Sequence, residues 1–205
     1  MTKSAHEIAV SLIHMLNTKG QGDYIGEPIS QLEHSLQAAH LAQSNNADSE
    51  TIIAALLHDI GQFLPAGEVA SIAHEVQSMR ISEDVSIDSV GRVGHELIGE
   101  EYLARLGFSR KVSSLVGSHV AAKRYLCTAE PGYHDTLSEA SKTSLRFQGG
   151  PMQGEEFNEW AAIPWRREMC QLRKWDDGAK VVGLVVQPAE MYEDMITQHL
   201  QQQHA

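Results

Sequence analysis

One short stretch constrains the fold of this chain more than any other, because it joins an apolar helix to two ionisable side chains. Residues 52–57 read Ile-Ile-Ala-Ala-Leu-Leu, and His58 and Asp59 follow at once. A helix that is apolar on all sides belongs in the interior of a protein, and Gly61 is well placed to end it. Burying an imidazole and a carboxylate costs several kcal/mol unless something compensates for it.

A bound metal ion is the economical compensation at His58 and Asp59. Adjacent residues of a helix point about 100° apart, so the two side chains diverge and do not simply pair with each other. His58 would bind a metal ion through nitrogen, and the two oxygens of Asp59 can span two ions. A histidine–aspartate pair alone is weak evidence, so the hypothesis depends on the rest of the chain.

Length and charge narrow the class of protein. The 205 residues predict a single domain, 1–205, that is large enough to bury a core without disulfides. The two cysteines, Cys127 and Cys170, form no disulfide framework and no zinc motif, which fits a reducing cytoplasm. We expect no signal peptide and no membrane span, because no apolar stretch approaches ~18 residues. The formal charge of −11 argues against a nucleic-acid surface.

The hydrophobic periodicity predicts an all-α fold. A long irregular connection with one short helix is expected from Gln62 to Arg92, and a short strand at Val181–Val186 stays open without favouring a sheet. Asp48 or Ser49 caps the helix at 52–57, Ser109 caps another helix, and a further helix has Pro164 in its first turn and ends at Gly178. In the last predicted helix, Pro188–Gln202, the residues Met191, Met195 and Ile196 face inward. The remaining predicted helices are Ser4–Asn17, Ser30–Asn45, Gly94–Leu106 and Thr136–Phe147.

Several ionisable side chains lie on the apolar faces of five different predicted helices. A single histidine on such a face is more often a hydrogen-bonded core residue, but this number of groups is hard to satisfy without metal. Nitrogen and oxygen ligands without sulfur suit iron, manganese or zinc, and six ligands with a bridging carboxylate are enough for two ions. The predicted ligands are His34, His58, Asp59, His95, His119 and Asp176.

Two cations accompany these groups. Lys123 lies one helical turn after His119, and Arg173 lies three residues before Asp176, so both should point towards the metals. In so acidic a chain, inward cations indicate an anionic substrate, and Arg is suited to binding phosphate-like oxygens. The alternatives are that Lys123 extends to solvent and that Arg173 pairs with a surface acid.

The order of histidines and aspartates resembles the HD-domain superfamily, whose fold is a compact helical bundle around a central metal site. Four local stretches, residues 23–27, 31–37, 119–126 and 148–152, narrow the resemblance to the mixed-valence di-iron oxygenases of that superfamily, such as the 2-amino-1-hydroxyethylphosphonate dioxygenases. The resemblance covers nearly the whole chain. The binuclear phosphodiesterases of the same superfamily typically carry a lysine where this chain has Gln62.

This resemblance implies an activity and residue roles. Two iron ions, Fe(II) and Fe(III), would be bound by the six predicted ligands, with Asp59 bridging them. O2 would be the co-substrate in cleavage of the carbon–phosphorus bond of an organophosphonate, which releases phosphate and a carboxylic acid. A hydroxylase would be the partner enzyme that supplies the 1-hydroxyphosphonate. The positions that bind the phosphonate in these relatives correspond to Lys123, Ser141 and Arg173. A mobile loop of the relatives corresponds to Tyr24 and Glu27, and its tyrosine blocks access to the iron until the substrate arrives.

The chain departs from these relatives at two places near the expected amino end of the substrate. Gln62 replaces a histidine, and the segment before His95 is longer, which makes His74 a rival fourth ligand. A trimethylated amine offers no N–H donor and prefers carboxylates and aromatic rings. These departures favour a trimethylammonio substrate that yields glycine betaine over the primary amine that yields glycine.

Two other classes of function stay open. One is a metal-dependent phosphohydrolase that acts on a nucleotide or another phosphate ester, with metal-activated water attacking phosphorus. The other is a non-catalytic sensor of a phosphonate. Oxygen consumption during phosphate release would separate both from an oxygenase.

Overall fold

Helices make up most of the part of the chain that the computed structural model describes, which is residues 3–24, 26–75, 86–87, 91–92 and 94–203. Within those ranges, the strands are one antiparallel pair, β1 (Ser86–Ile87) and β2 (Gly91–Arg92). The predicted all-α fold is therefore confirmed. The helices are α1 (Ala5–Lys19), α2 (Gln31–Ser44), α3 (Ser49–Leu57), α4 (Ile60–Phe63), α5 (Ala66–Glu75), α6 (His95–Arg105), α7 (Arg110–Ala129), α8 (Tyr133–Thr136), α9 (Glu139–Phe147), α10 (Gly154–Ala161), α11 (Arg166–Gly178), a 3-10 turn (Ala189–Tyr192) and α12 (Glu193–Gln203).

Side-chain caps begin the helices that carry the site. Ser30 and Glu33 form a capping box at the start of α2, and Ser109 accepts a hydrogen bond from the Val112 N–H at the start of α7. Of the two candidates for α3, Asp48 is the cap, since its carboxylate accepts from the Thr51 N–H. Each cap satisfies amide donors that the first helical turn leaves without an intrahelical partner.

The helix α3 lies at the centre of the molecule. Every residue from 51 to 57 is buried, and α2, α7, α11 and α12 pack around it. Its apolar surface is therefore covered from several sides, as an all-apolar helix requires. His58 and Asp59 leave the end of α3 in the interior, where the neighbouring helices also bring their polar side chains.

Gly61 corrects one expectation about this region. The helix α3 ends at Leu57 without it, and Gly61 lies inside the short helix α4. A Cβ atom on Gly61 would lie 2.0 Å from the carbonyl oxygen of His95. Glycine is required at this position because α4 and α6 approach so closely, and not because a helix has to stop there.

The structure corrects several other boundaries. The helix predicted at Thr136–Phe147 begins later, as α9 at Glu139, because Thr136 ends the separate helix α8 and Leu137 and Ser138 lie between the two. Pro164 precedes α11, whose N-cap is Trp165, and α10 was not predicted at all. Pro188–Gln202 begins as a 3-10 turn, on which Met191 is 62% exposed instead of inward, whereas Ile196 is buried as expected. Residues 181–186 form no strand.

The connection before His95 contains more regular structure than expected. It includes α4, α5 and the β1–β2 pair, while residues 76–85, 88–90 and 93 lie outside the described part of the chain. None of the described helices has both the length and the apolar character needed to cross a bilayer.

Candidate metal centre and anion pocket

Six buried nitrogen- and oxygen-bearing side chains converge at the end of α3. They come from α2, the α3–α4 junction, α6, α7 and α11, and they form two groups whose ligand atoms lie within 4.8 Å of one another. The groups are His34 with His58 and Asp176, and Asp59 with His95 and His119. The structure thus brings together all six residues that the sequence nominates as ligands.

The four histidines are oriented by the backbone. Each Nδ1 lies at hydrogen-bond distance from a carbonyl oxygen, which favours the tautomer that carries the proton on Nδ1 and leaves the Nε2 lone pair free. All four Nε2 atoms point into the shared interior. The Nδ1–O distances are 2.9 Å for His34 to Ala179, 2.8 Å for His58 to Ala55, 2.9 Å for His95 to Arg92 and 2.7 Å for His119 to Val116.

The Nε2 atoms meet in pairs. Those of His34 and His58 are 3.0 Å apart, and those of His95 and His119 are also 3.0 Å apart. If every Nδ1 holds a proton, both members of each pair present lone pairs to each other, and a cation between them removes that conflict. In addition, Oδ1 of Asp176 is buried without a hydrogen-bond partner and lies 3.4 Å from the His34 Nε2. An orphaned buried carboxylate oxygen beside two imidazoles fits a metal ligand.

The two oxygens of Asp59 face different groups. Oδ2 lies 3.6 Å from the His58 Nε2 and 3.8 Å from the His34 Nε2. Oδ1 lies 3.1 Å from the His95 Nε2 and 3.8 Å from the His119 Nε2. With one oxygen facing each histidine pair, Asp59 is placed as a carboxylate would be if it bridged two ions.

The electrostatics of the centre suit cation binding. Burial lowers the pKa of His119 to about 3 and also lowers the pKa of His58, which keeps both imidazoles neutral, as metal ligands must be. Burial disfavours the charged form of His95, but the hydrogen bond to Asp59 outweighs it and raises the pKa to about 9. A metal ion in this group therefore displaces a proton from the His95–Asp59 pair.

A cavity of about 90 Å³ opens beside the Asp59 group and extends to α9 and α11. Three cationic side chains line it, namely Lys123, Arg173 and Lys180, together with hydroxyl and amide groups. This composition suits an anion with several oxygens. The other lining residues are Tyr24, Gln31, Asp59, Gln62, His95, His119, Val120, Ala140, Ser141, Ser144, Gln148 and Asp176.

Lys123 points inward and does not extend to solvent, since only 2% of the residue is exposed. Its ammonium donates to the Ser144 Oγ at 2.7 Å. Burial, with the neighbouring charge of Arg173, lowers the pKa of Lys123 to about 7. A bound anion would favour the charged form, so Lys123 is poised to gain a proton when an anion arrives.

Arg173 is buried and pairs with two acids, as one of the sequence alternatives expects, although Asp176 is buried and is not a surface acid. Its Nη1 lies 2.7 Å from Oδ2 of Asp176, and its Nη2 donates to Asp177. Asp177 in turn accepts a hydrogen bond of 2.5 Å from the Tyr133 hydroxyl. The guanidinium still lines the cavity, and its Nε has no hydrogen-bond partner.

The remaining nominated residues lie around the same cavity. The Tyr24 ring stacks on the His34 imidazole, with centroids 3.9 Å apart and an angle of 18° between the planes. Ser141 and Gln62 line the cavity, and the Gln62 Oε1 accepts from the Arg92 N–H. Glu27 does not line the cavity itself but binds Lys180 at 3.1 Å. The His74 side chain lies outside the described residues, although its backbone belongs to α5.

Sequence reasoning missed four polar residues of the cavity: Gln31, Ser144, Gln148 and Lys180. Ser144 and Gln148 follow Ser141 at i+3 and i+7, so the helical period along α9 was a usable signal. Lys180 follows the end of α11 and had no periodic signal. The path of the chain after Gly178 brings Lys180 to the cavity.

With this geometry established, the class of protein follows. Residues 32–145 match the family model described as HD domain. This match spans more than half of the chain, and the chain belongs to the HD-domain family. Within this fold, the histidine and aspartate cluster supports a metal cofactor.

Curated relatives cover nearly all of the chain. A hydroxymethylphosphonate dioxygenase of Gimesia maris is 40% identical over 192 residues, which are 94% of this chain and 88% of that protein. The glycine-betaine-forming [1-hydroxy-2-(trimethylamino)ethyl]phosphonate dioxygenase of Leisingera caerulea is 35% identical over 190 residues, 91% and 89% of the two chains. The uncharacterized protein L432 of Acanthamoeba polyphaga mimivirus is 34% identical over 190 residues, 93% and 80%. Two of these relatives are dioxygenases, so the chain is similar to oxygenase enzymes.

Proposed function

We propose that this protein is a di-iron oxygenase that uses O2 to cleave the carbon–phosphorus bond of a 1-hydroxyphosphonate. The observation that carries the proposal is the division of the Asp59 oxygens between two histidine pairs, directly beside a cavity with three cations. This arrangement supports two ions bridged by one carboxylate, next to a site for an anion. The similarity to two phosphonate dioxygenases supports the same chemistry.

The atoms and electrons of the reaction balance with O2 as the oxidant. A 1-hydroxyphosphonate that carries a group R on its hydroxylated carbon reacts with one O2 to give the carboxylic acid R–COOH and inorganic phosphate. The C–P bond and one C–H bond break, while new C–O and P–O bonds form. The four electrons that reduce O2 come from the C–H and C–P bonds of the substrate. An iron pair held by the six candidate ligands would activate O2 and bind the substrate oxygens.

The protein supplies ligands of the kind that iron uses and excludes water around them. Four imidazoles and two carboxylates, with no sulfur, suit iron more than a soft metal. The Tyr24 ring covers His34, which shields this side of the centre from solvent. Displacement of this ring would open the His34 side of the centre to a ligand, which is the movement expected of the tyrosine in the predicted mobile loop.

The cavity residues bind and orient the phosphonate. Lys123 and Arg173 supply positive charge at its buried end, and the Ser141 hydroxyl on α9 can donate to the phosphonate. The Ser144 hydroxyl accepts from Lys123 and so holds that ammonium in place. Such contacts would hold the hydroxylated carbon at the metal side of the cavity, near Asp59 and His95. Orientation of this kind contributes to rate because the reacting carbon is already in place.

The substituent on the hydroxylated carbon separates the candidate substrates. One relative is named for hydroxymethylphosphonate, which has no nitrogen, and another for a trimethylamino substrate. From the sequence alone, the departures at Gln62 and before His95 favour the trimethylammonio compound, an expectation that the contacts of Lys180 described below oppose. The primary amine is the third candidate. For each of them, an enzyme that hydroxylates the parent phosphonate would be the partner that supplies the substrate.

An oxygen electrode coupled to a phosphate assay tests this proposal. Iron-loaded protein is incubated with each of the three hydroxyphosphonates, and with methylphosphonate as a control that lacks the hydroxyl group. We expect one O2 consumed for each phosphate released from the true substrate, and none with methylphosphonate. Phosphate release under strict anaerobiosis would point to a phosphohydrolase, and binding without turnover would point to a sensor. Either result would overturn the oxygenase proposal.

A further inference from the structure

We infer that Lys180 determines which hydroxyphosphonate enters the pocket, and that it selects a substrate without an ammonium group. The inference rests on the proposed function and concerns the end of the substrate that faces away from the phosphonate. The Lys180 ammonium occupies the place between Glu27 and Tyr24 that a substrate ammonium would otherwise take. On this view the sequence departures near Gln62 do not indicate a trimethylammonio substrate.

The contacts of Lys180 carry the inference. Its ammonium lies 3.1 Å from Oε1 of Glu27, 3.1 Å from Oγ of Ser141 and 3.3 Å from Oγ of Ser138. It also lies 5.7 Å from the centre of the Tyr24 ring. The Lys180 and Glu27 side chains are only 11% and 13% exposed, so the ion pair is largely withdrawn from water.

These partners are the ones that a substrate ammonium would need. A carboxylate and an aromatic face are the preferred surroundings of a quaternary amine, and a primary amine also needs acceptors. Glu27 and Tyr24 form such a site, and the lysine side chain of the protein already occupies it. A substrate ammonium would have to break the Glu27–Lys180 pair and leave the lysine charge without its partner.

The other acids at the cavity offer no substitute. Among the described residues that line it, the carboxylates are Asp59 and Asp176. Asp59 lies between the two histidine groups, and Asp176 binds Arg173. A cationic substituent would thus face Lys123, Arg173 and Lys180 with no free carboxylate. Placing like charges together in a partly dry site is strongly unfavourable.

A neutral hydroxyphosphonate avoids this conflict. Its phosphonate benefits from all three cations, and its carbon end needs no counter-ion. Lys180 can keep its ion pair with Glu27 and its hydrogen bond to the Ser141 hydroxyl, which lines the cavity where the phosphonate would bind. The geometry therefore points to a short 1-hydroxyphosphonate whose hydroxylated carbon bears hydrogen or another uncharged group.

Anaerobic calorimetry of the iron-loaded protein measures this selection without turnover. The probes are hydroxymethylphosphonate, 2-amino-1-hydroxyethylphosphonate and its trimethylammonio analogue. We expect the wild-type protein to bind hydroxymethylphosphonate about ten-fold or more tightly than either cationic probe. In Lys180→Met, the preference should move by about ten-fold or more towards the cationic probes, because Glu27 becomes available.

Matched variants separate selection from general damage. Lys142→Met removes another lysine that is paired with a glutamate, Glu139, but lies away from the cavity, and it should keep the wild-type order of affinities. Adding Glu27→Gln to Lys180→Met should remove the gain for the cationic probes. Lys180→Arg keeps the charge and should keep the wild-type order. If Lys180→Met does not fold, the wild-type order and Lys180→Arg decide the question.

The outcomes also distinguish this inference from the function on which it rests. Tighter binding of a cationic probe by the wild-type protein, with O2-dependent phosphate release from it, would overturn the role of Lys180 and leave the oxygenase intact. Absence of binding and of phosphate release with all three probes would overturn both. An unchanged order of affinities in Lys180→Met would also contradict the role of Lys180.

Discussion

Arg173 and Asp176 lie three residues apart on α11 and form a buried ion pair, with the arginine Nη1 2.7 Å from the aspartate Oδ2. The other aspartate oxygen, Oδ1, has no hydrogen-bond partner and lies 3.4 Å from the Nε2 of His34. One carboxylate therefore joins the anion pocket to the candidate metal centre. A change in charge in the anion pocket should therefore alter the electrostatic potential at the metal centre, and the reverse, because a buried ion pair is weakly screened by water.

The proposed bridging position of Asp59 predicts the metal content of a variant. Asp59→Asn keeps the size of the side chain but removes the charge and one ligand oxygen. We therefore expect two metal ions per chain in the wild type and about one or fewer in the variant. Elemental analysis of the purified proteins by plasma mass spectrometry measures this. Asp135→Asn alters a carboxylate that is 89% exposed and is the control. Two ions per chain in Asp59→Asn would rule out an essential bridge.

The contacts of Asp177 predict a role in positioning Arg173. Asp177 accepts from the arginine Nη2 and from the Tyr133 hydroxyl, whereas Asp176 contacts Nη1, so Asp177 gives the guanidinium a second anchor. Asp177→Asn should weaken phosphonate binding about ten-fold while the metal content stays that of the wild type. Calorimetric titration with the preferred phosphonate tests this. Tyr133→Phe removes only the hydrogen bond from the tyrosine to Asp177, so it should weaken phosphonate binding less than Asp177→Asn does. An equal or larger loss of affinity in Tyr133→Phe would contradict the proposed role of Asp177.

The lowered pKa of Lys123 predicts a pH dependence of stability. In the folded protein, burial brings this pKa to about 7, whereas an unfolded chain keeps an ordinary lysine pKa of roughly 10.4. Between these values the unfolded chain holds a proton that the folded protein lacks, so the free energy of unfolding should rise with pH. We expect the wild type to gain about 1 kcal/mol per pH unit relative to Lys123→Met between about pH 7 and about pH 9.

Urea unfolding of the two proteins at several pH values measures that difference. Lys142→Met, at a partly exposed position on α9, should keep the pH dependence of the wild type. A difference between wild type and Lys123→Met that stays constant over this range would show that the Lys123 ammonium is not destabilised by burial.

The close approach at Gly61 predicts a strong effect of one methyl group. In Gly61→Ala the new Cβ would meet the His95 carbonyl oxygen at 2.0 Å, so α4 and α6 must separate. We expect a loss of about 2 kcal/mol in the free energy of unfolding, together with reduced metal content as His95 shifts. Gly67→Ala is the matched control, since nothing lies within 4 Å of its Cβ position in α5. That substitution should be neutral or stabilise by about 0.5 kcal/mol. Similar thermal unfolding curves for the two variants would contradict this account of Gly61.

Local patterns were enough to predict the all-α class and most of the residues on the inner faces of the helices. The apolar run at 52–57 became the buried helix α3, and Ser109 caps α7 as expected. Helical periodicity is a property of neighbouring residues, and burial follows from the hydrophobicity of the face. The same periodicity placed His95 and His119 on inward faces, where the structure brings them within 3.0 Å of each other.

Local patterns did not predict features that depend on two distant segments. Gly61 reads like a helix stop, yet its cause is the approach of His95 from another helix. The helix α10 is only eight residues long and has no fully buried residue; its apolar contacts, Phe157 and Trp160 on the Tyr125 ring, are made with a distant helix. Met191 was expected inside because it is apolar, but the 3-10 turn before α12 directs it outward.

The chemistry of the site therefore has two origins. The kinds of ligand and the presence of inward cations can be read from the residues themselves, because side-chain chemistry and helical phase are local. Tertiary packing alone sets which Asp59 oxygen faces which histidine pair, and it pairs Lys180 with Glu27 across 153 positions of sequence. Such pairings depend on the relative placement of whole helices and loops, and no spacing along the chain encodes an interatomic distance of that kind.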